Sequence, residues 1–129
     1  MPKVTTVSGV EVSFDPDAIS WLTPGNVNGG ITTKVYGFMP DVMQIQGKPE
    51  EFLASLGLAP RFCSLTRPDG SQLWLRGSAV AYLMPSLPGE NEPPVKSIVG
   101  IGASEHGVTE DMATAKAAIN RARGPASQL

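Results

Sequence analysis

The sequence predicts an α+β protein, mainly antiparallel sheet, made of two divergent copies of one unit of about 60 residues, each ending in a helix. Three observations predict it. Ala18-Ile19-Ser20-Trp21-Leu22-Thr23-Pro24 recurs as Ala79-Val80-Ala81-Tyr82-Leu83-Met84-Pro85, an offset of 79 − 18 = 61. Twelve prolines and 14 glycines punctuate short apolar runs, which favours strands and turns over long helices. Pro49-Glu50-Glu51-Phe52 and Thr109-Glu110-Asp111-Met112 read as two helix starts at matching places. The units are expected over residues 1–58 and 59–124, sharing one core, with 125–129 a loose tail.

Taken in order, residues 4–7, a turn at Ser8-Gly9 and residues 10–14 read as a hairpin, with Val10, Val12 and Phe14 on the inward face. Asp15-Pro16-Asp17 should stop it, and the apolar run from Ile19 should end at Pro24-Gly25. Turn residues 26–30 precede a β-branched strand over 31–38. Met39-Pro40-Asp41 then turns the chain into residues 42–46. Pro49 suits a first helical position, and Gly57 suits a C-terminal cap. The second copy runs from Cys63 through a Pro68-Asp69-Gly70 turn to a strand around Leu73 and Leu75. A polar loop at 85–94 and a strand at 95–101 follow. A connection over 102–107 then leads to a helix that Thr109 would cap, with Met112, Ala115, Ile119 and Ala122 on one face.

A net charge of −2 argues against a whole-surface nucleic-acid binder, and no apolar run is long enough to span a bilayer. The first residues lack the apolar stretch of a signal peptide, and a lone Cys63 allows no internal disulfide, so a cytoplasmic location is expected.

The pattern of strand, glycine turn, strand, Asp15-Pro16-Asp17-Ala18-Ile19, aromatic, Leu-x-Pro, two strands and Gly47-x-Pro49-Glu50-Glu51-Phe52-Leu53 resembles the small FlbD-like family. That family is flagellum-associated, roughly one such unit long, and also found among small uncharacterised phage proteins. The resemblance is clearest over Val10 to Leu53. The second copy departs from it, with Arg76-Gly77-Ser78 in place of Asp15-Pro16-Asp17 and no turn between its last two strands. It implies a small β-rich fold with a helix, and no catalytic residue.

If Leu73 and Leu75 face inward, Gln72, Trp74 and Arg76 face outward, and a tryptophan beside an arginine suits a stacking or subunit-contact site. Packing between the two copies would equally explain Trp74. Gly100, Gly102, Ser104, His106 and Gly107 lie in a strand-to-helix connection that could offer amides to an anion. It is neither a dinucleotide fingerprint nor a P-loop, and Glu105, Glu110 and Asp111 would repel an anion. His106 reads best as a solvated loop residue. One histidine and one cysteine suggest no metal site, and no cofactor is expected. The leading reading is a non-catalytic binding protein that forms homo-oligomers through strand edges or the Trp74 face, or meets a protein partner. The second is capture of a small anionic ligand such as a nucleotide by Trp74, Tyr82, Arg67, Arg76 and the glycine connection. The third is a small hydrolase using His106.

Overall fold

The computed structural model describes residues 2–38, 42–86 and 95–129. It is an α+β fold with antiparallel sheets and, among the described residues, two α-helices, as the sequence predicts. The turn expected at Met39-Pro40-Asp41 and most of the loop expected at 85–94 lie outside the described residues. The chain forms two compact units, Met1–Ala59 and Pro60–Leu129.

In unit 1, β1 (Lys3–Thr5) pairs with β2 (Glu11–Ser13), Val4 opposite Val12. Gly9 turns the chain at a positive φ of 87°, its N–H donating to the Thr6 carbonyl at 2.9 Å. A 3-10 turn at Pro16–Ala18 follows, capped by Asp15, whose Oδ1 accepts the Asp17 N–H at 2.9 Å. Then come β3 (Trp21–Val27), β4 (Gly30–Tyr36) and β5 (Met43–Gln46), with β4 paired to both others.

Pro24 and Gly25 do not end β3, contrary to the sequence expectation. The Asn28-Gly29 turn has both residues at positive φ (51° and 82°), the two-residue hairpin geometry. Counting back from it, Pro24 falls at a non-hydrogen-bonded pair with Thr33, so its missing N–H costs β4 nothing. Alternation then places Leu22, Val35, Met43 and Ile45 on the buried face, joined by Leu53 of α1 (Pro49–Ser55). Gly57 (φ 70°) closes α1 as expected. Its N–H donates to the Ala54 carbonyl and that of Leu58 to the Leu53 carbonyl, a Schellman motif between two buried leucines.

Unit 2 opens with the hairpin of β6 (Phe62–Thr66) and β7 (Gln72–Arg76), Leu65 opposite Leu73 and Cys63 opposite Leu75, all buried. A 3-10 turn at Gly77–Ala79 leads into the meander of β8 (Val80–Pro85), β9 (Ser97–Ile101) and β10 (Ser104–Val108). Helix α2 (Met112–Arg123) buries Ala115 and Ile119 completely, the face its periodicity marks. At Gly77 a Cβ would stand 2.8 Å from the Ala122 backbone, and Arg123 Nη1 donates to the Gly77 and Val80 carbonyls at 3.0 Å each. Glycine thus lets the helix approach, and the arginine fastens it. The last residues are not a loose tail. Pro125–Ser127 is a 3-10 turn, Gln128 Nε2 donates to the Asn120 and Gly124 carbonyls, and Leu129 N–H donates to Asn120 Oδ1 at 2.7 Å. Both units thus run hairpin, 3-10 turn, three strands, helix.

Candidate functional site

The outward face expected on β7 exists only in part. Leu73 and Leu75 are fully buried, so alternation does turn Gln72, Trp74 and Arg76 to the other side. Gln72 and Trp74 are half-buried there, Trp74 opposite Ser64. Arg76, expected in solvent, is 7% exposed, with its guanidinium carbon 4.9 Å from the centroid of the Phe62 ring opposite. The planar guanidinium stacks on the aromatic face and buries its stem, a geometry the alternation pattern does not encode.

The strand-to-helix connection is corrected as well. Gly100 and Ser104 to Gly107 form the β9–β10 hairpin, with Glu105 opposite Gly100 and His106 opposite Val99, and Gly102 (φ 58°) supplies a turn between the last two strands, where the sequence reading expected none in this second copy. Their amides therefore belong to a sheet and form no cradle aimed at a helix N-terminus. Gly100 makes room for Tyr82, whose ring carbon would lie 2.1 Å from a Cβ there. The Tyr82 hydroxyl donates to Glu105 Oε2. Thr109 is not the helix cap. Asp111 is, its Oδ1 accepting the Thr114 N–H at 2.8 Å.

Glu110, read from sequence as a first-turn acid, lies before the cap and clasps β6. Its carboxylate accepts the Thr66 N–H at 2.9 and 3.0 Å and the Thr66 hydroxyl at 2.9 Å. Thr109 N–H donates to the Thr66 carbonyl at 2.9 Å, and Ser97 Oγ donates to the Glu110 carbonyl at 2.8 Å. This junction draws together sequence candidates that the chain separates. Gln72 Nε2 reaches Thr66 Oγ1 at 3.4 Å, and Arg67 lies close enough to His106 for its charge to act there. Arg67 Nε donates to Ser71 Oγ at 2.8 Å. His106 is a half-buried strand residue, not a solvated loop histidine. Burial, and then the Arg67 charge, hold its pKa below the ordinary 6.5, which favours the neutral ring. Cys63 is buried, and its thiol is pushed up to about 11 by burial, against the opposing pull of Arg121, so it stays protonated at neutral pH. Among the described residues no three His, Cys, Asp or Glu side chains group to hold a metal, and no helix is long and apolar enough to cross a membrane.

A further concavity lies in unit 1, where the sequence reading named no site. A cleft of about 670 Å3 opens between the β1–β2 hairpin and the residues around Phe38 and Met43. Phe14, 4% exposed, lies 6.0 Å edge-on to Phe38 and 6.0 Å from Phe52, and so sets an aromatic floor. Val10 and Val42, 56% and 47% exposed, are further lining residues. Thr6, Ser8, Ser13, Asp15 and Gln44 are the polar residues of the lining, the Gln44 amide donating to Thr32 Oγ1 at 2.8 Å. Val7 N–H donates to the Gln44 carbonyl at 3.0 Å, and Thr6 bridges to Ile45, so two strands of the unit hold the walls. The signal was present in the alternation of Val10, Val12 and Phe14, which do share a face. That the face stays open is not a local property. No family model, curated protein or solved structure matches the chain.

Proposed function

We propose that the chain is a non-catalytic binding protein and that it binds through the apolar cleft of unit 1. The observation carrying this reading is a concave apolar surface with an aromatic floor, a few hydroxyls and one carboxylate, within the size range of about 300–1,000 Å3 usual for small-molecule sites. Titration with the neutral dye Nile red tests it. Saturable fluorescence enhancement in the wild type, weakened in Val10→Arg, supports the reading, and no saturable enhancement overturns it.

Self-association belongs to the same proposal. Its support is the tip of the β3–β4 hairpin, where Val27 and Ile31 are 38% and 52% exposed, more than the Trp74 face, whose arginine is buried. Light scattering should give a multiple of 13.6 kDa that Ile31→Lys reduces, and a monomer at all concentrations would sink this half of the reading. Internal duplication is proposed too. It is supported by the shared order of elements, by 3-10 turns at Pro16–Ala18 and Gly77–Ala79, and by matching turn glycines, Gly9 at φ 87° and Gly70 at φ 89°. Anion capture has less behind it, since Arg76 stacks on Phe62, Arg67 is bonded to Ser71 and the glycine segment is a hairpin.

A further inference from the structure

The lining of the unit 1 cleft is charged at one place. Among the described residues that line it, Asp15 is the one ionisable group, and no lysine or arginine joins it. Its carboxylate is held in position because Oδ1 accepts the Asp17 N–H and caps the turn at Pro16–Ala18. Unit 1 as a whole has the same sign: residues 1–59 carry three lysines, no arginine and six carboxylates, a formal charge of 3 − 6 = −3. An apolar body entering beside Phe14 and Phe38 would therefore bring its polar end toward a fixed negative charge, where a cationic head is favoured and an anionic one repelled.

We propose that the cleft takes a small cationic amphiphile, an apolar chain or ring bearing an ammonium head, with Asp15 selecting the head and the Phe14–Phe38 floor taking the body. This rests on the reading of the cleft as the binding site. Thr6, Ser8 and Ser13 are neutral polar residues of the same lining and do not alter the charge preference.

Calorimetric titration with octylamine, octanol and octanoate at low ionic strength separates the terms. These three share one apolar chain and differ in head charge. Octylamine should bind about two- to fivefold more tightly than octanol, the span expected of one solvent-facing ion pair, and octanoate more weakly than both. Asp15→Asn keeps an oxygen for the Asp17 N–H and removes the charge, so it should abolish the difference. Val10→Arg, at an exposed rim position, should weaken octylamine most. If either variant fails to fold, the ranking of the three probes on the wild type still decides. Equal affinity for all three overturns the cationic preference and leaves cleft binding standing. No binding of any probe to wild type that still binds Nile red likewise overturns the inference alone. A dimer that Val10→Arg dissociates, together with no probe binding, assigns the cleft to a second copy of the chain and overturns it too.

Discussion

Replacing Glu110 by alanine should cost unit 2 about 2 kcal/mol. The carboxylate accepts from both the Thr66 N–H and the Thr66 hydroxyl, at 2.9 to 3.0 Å, across 44 residues of sequence. A hydrogen bond to a charged acceptor contributes roughly 1.5–3 kcal/mol, and a partly buried donor left without a partner loses its solvation besides. Glu110 is itself only half-buried, so water can replace part of what is lost, which sets the value in the lower half of that range. Amide hydrogen exchange reads it directly. A loss of about 2 kcal/mol corresponds to roughly 30-fold faster exchange at the Thr66 amide. Glu110→Gln retains one acceptor and should lose about half as much. Thr66→Val tests whether the bond carries the effect, since the two substitutions should combine to less than their sum. A loss below about 0.5 kcal/mol for Glu110→Ala, or strict additivity with Thr66→Val, would refute the role given to this clasp.

Gly100→Ala should destabilise by about 1–3 kcal/mol, because its Cβ meets the Tyr82 ring, and Tyr82→Ala should recover most of the loss in a double-mutant cycle followed by urea unfolding. His106 has a folded pKa below its unfolded value of 6.5, so the unfolded chain binds the proton first. Stability should be full above about pH 6.5 and fall as pH drops through that value toward the folded pKa, and His106→Gln should flatten this part of the profile. Little or no slope change in the variant would contradict the half-buried neutral ring. Cys63 should resist thiol reagents in the native protein at neutral pH and react on unfolding, and rapid native labelling would contradict its burial.

Much of this architecture is written locally. Turn chemistry at Gly9, Asn28-Gly29 and Pro68-Asp69-Gly70, the alternation through Val10, Val12 and Phe14, and the period of Met112, Ala115, Ile119 and Ala122 each depend on a few neighbouring residues. The failures are equally local in origin. Pro24 looked like a stop because a missing N–H matters only when the partner strand wants it, and the register that spares it is set four residues away at Asn28-Gly29. Residues 102–107 looked like a connection because their small and polar composition hides a strand, from Ser104, whose pairing with β9 supplies the order.

The candidate sites follow the same division. Sequence alone determined the fold class, the turns at Gly9, Asn28-Gly29 and Gly70, the helix faces and the residues able to carry chemistry, because these follow from dihedral preferences and short-period patterning. Tertiary structure decided what each of those residues does: Arg76 stacked on Phe62, Glu110 clasping Thr66, and Val10 at an open cleft over Phe14 and Phe38. Solvent exposure and charge partners depend on segments far apart in the chain, and a burial pattern says which face turns inward without saying whether anything covers it.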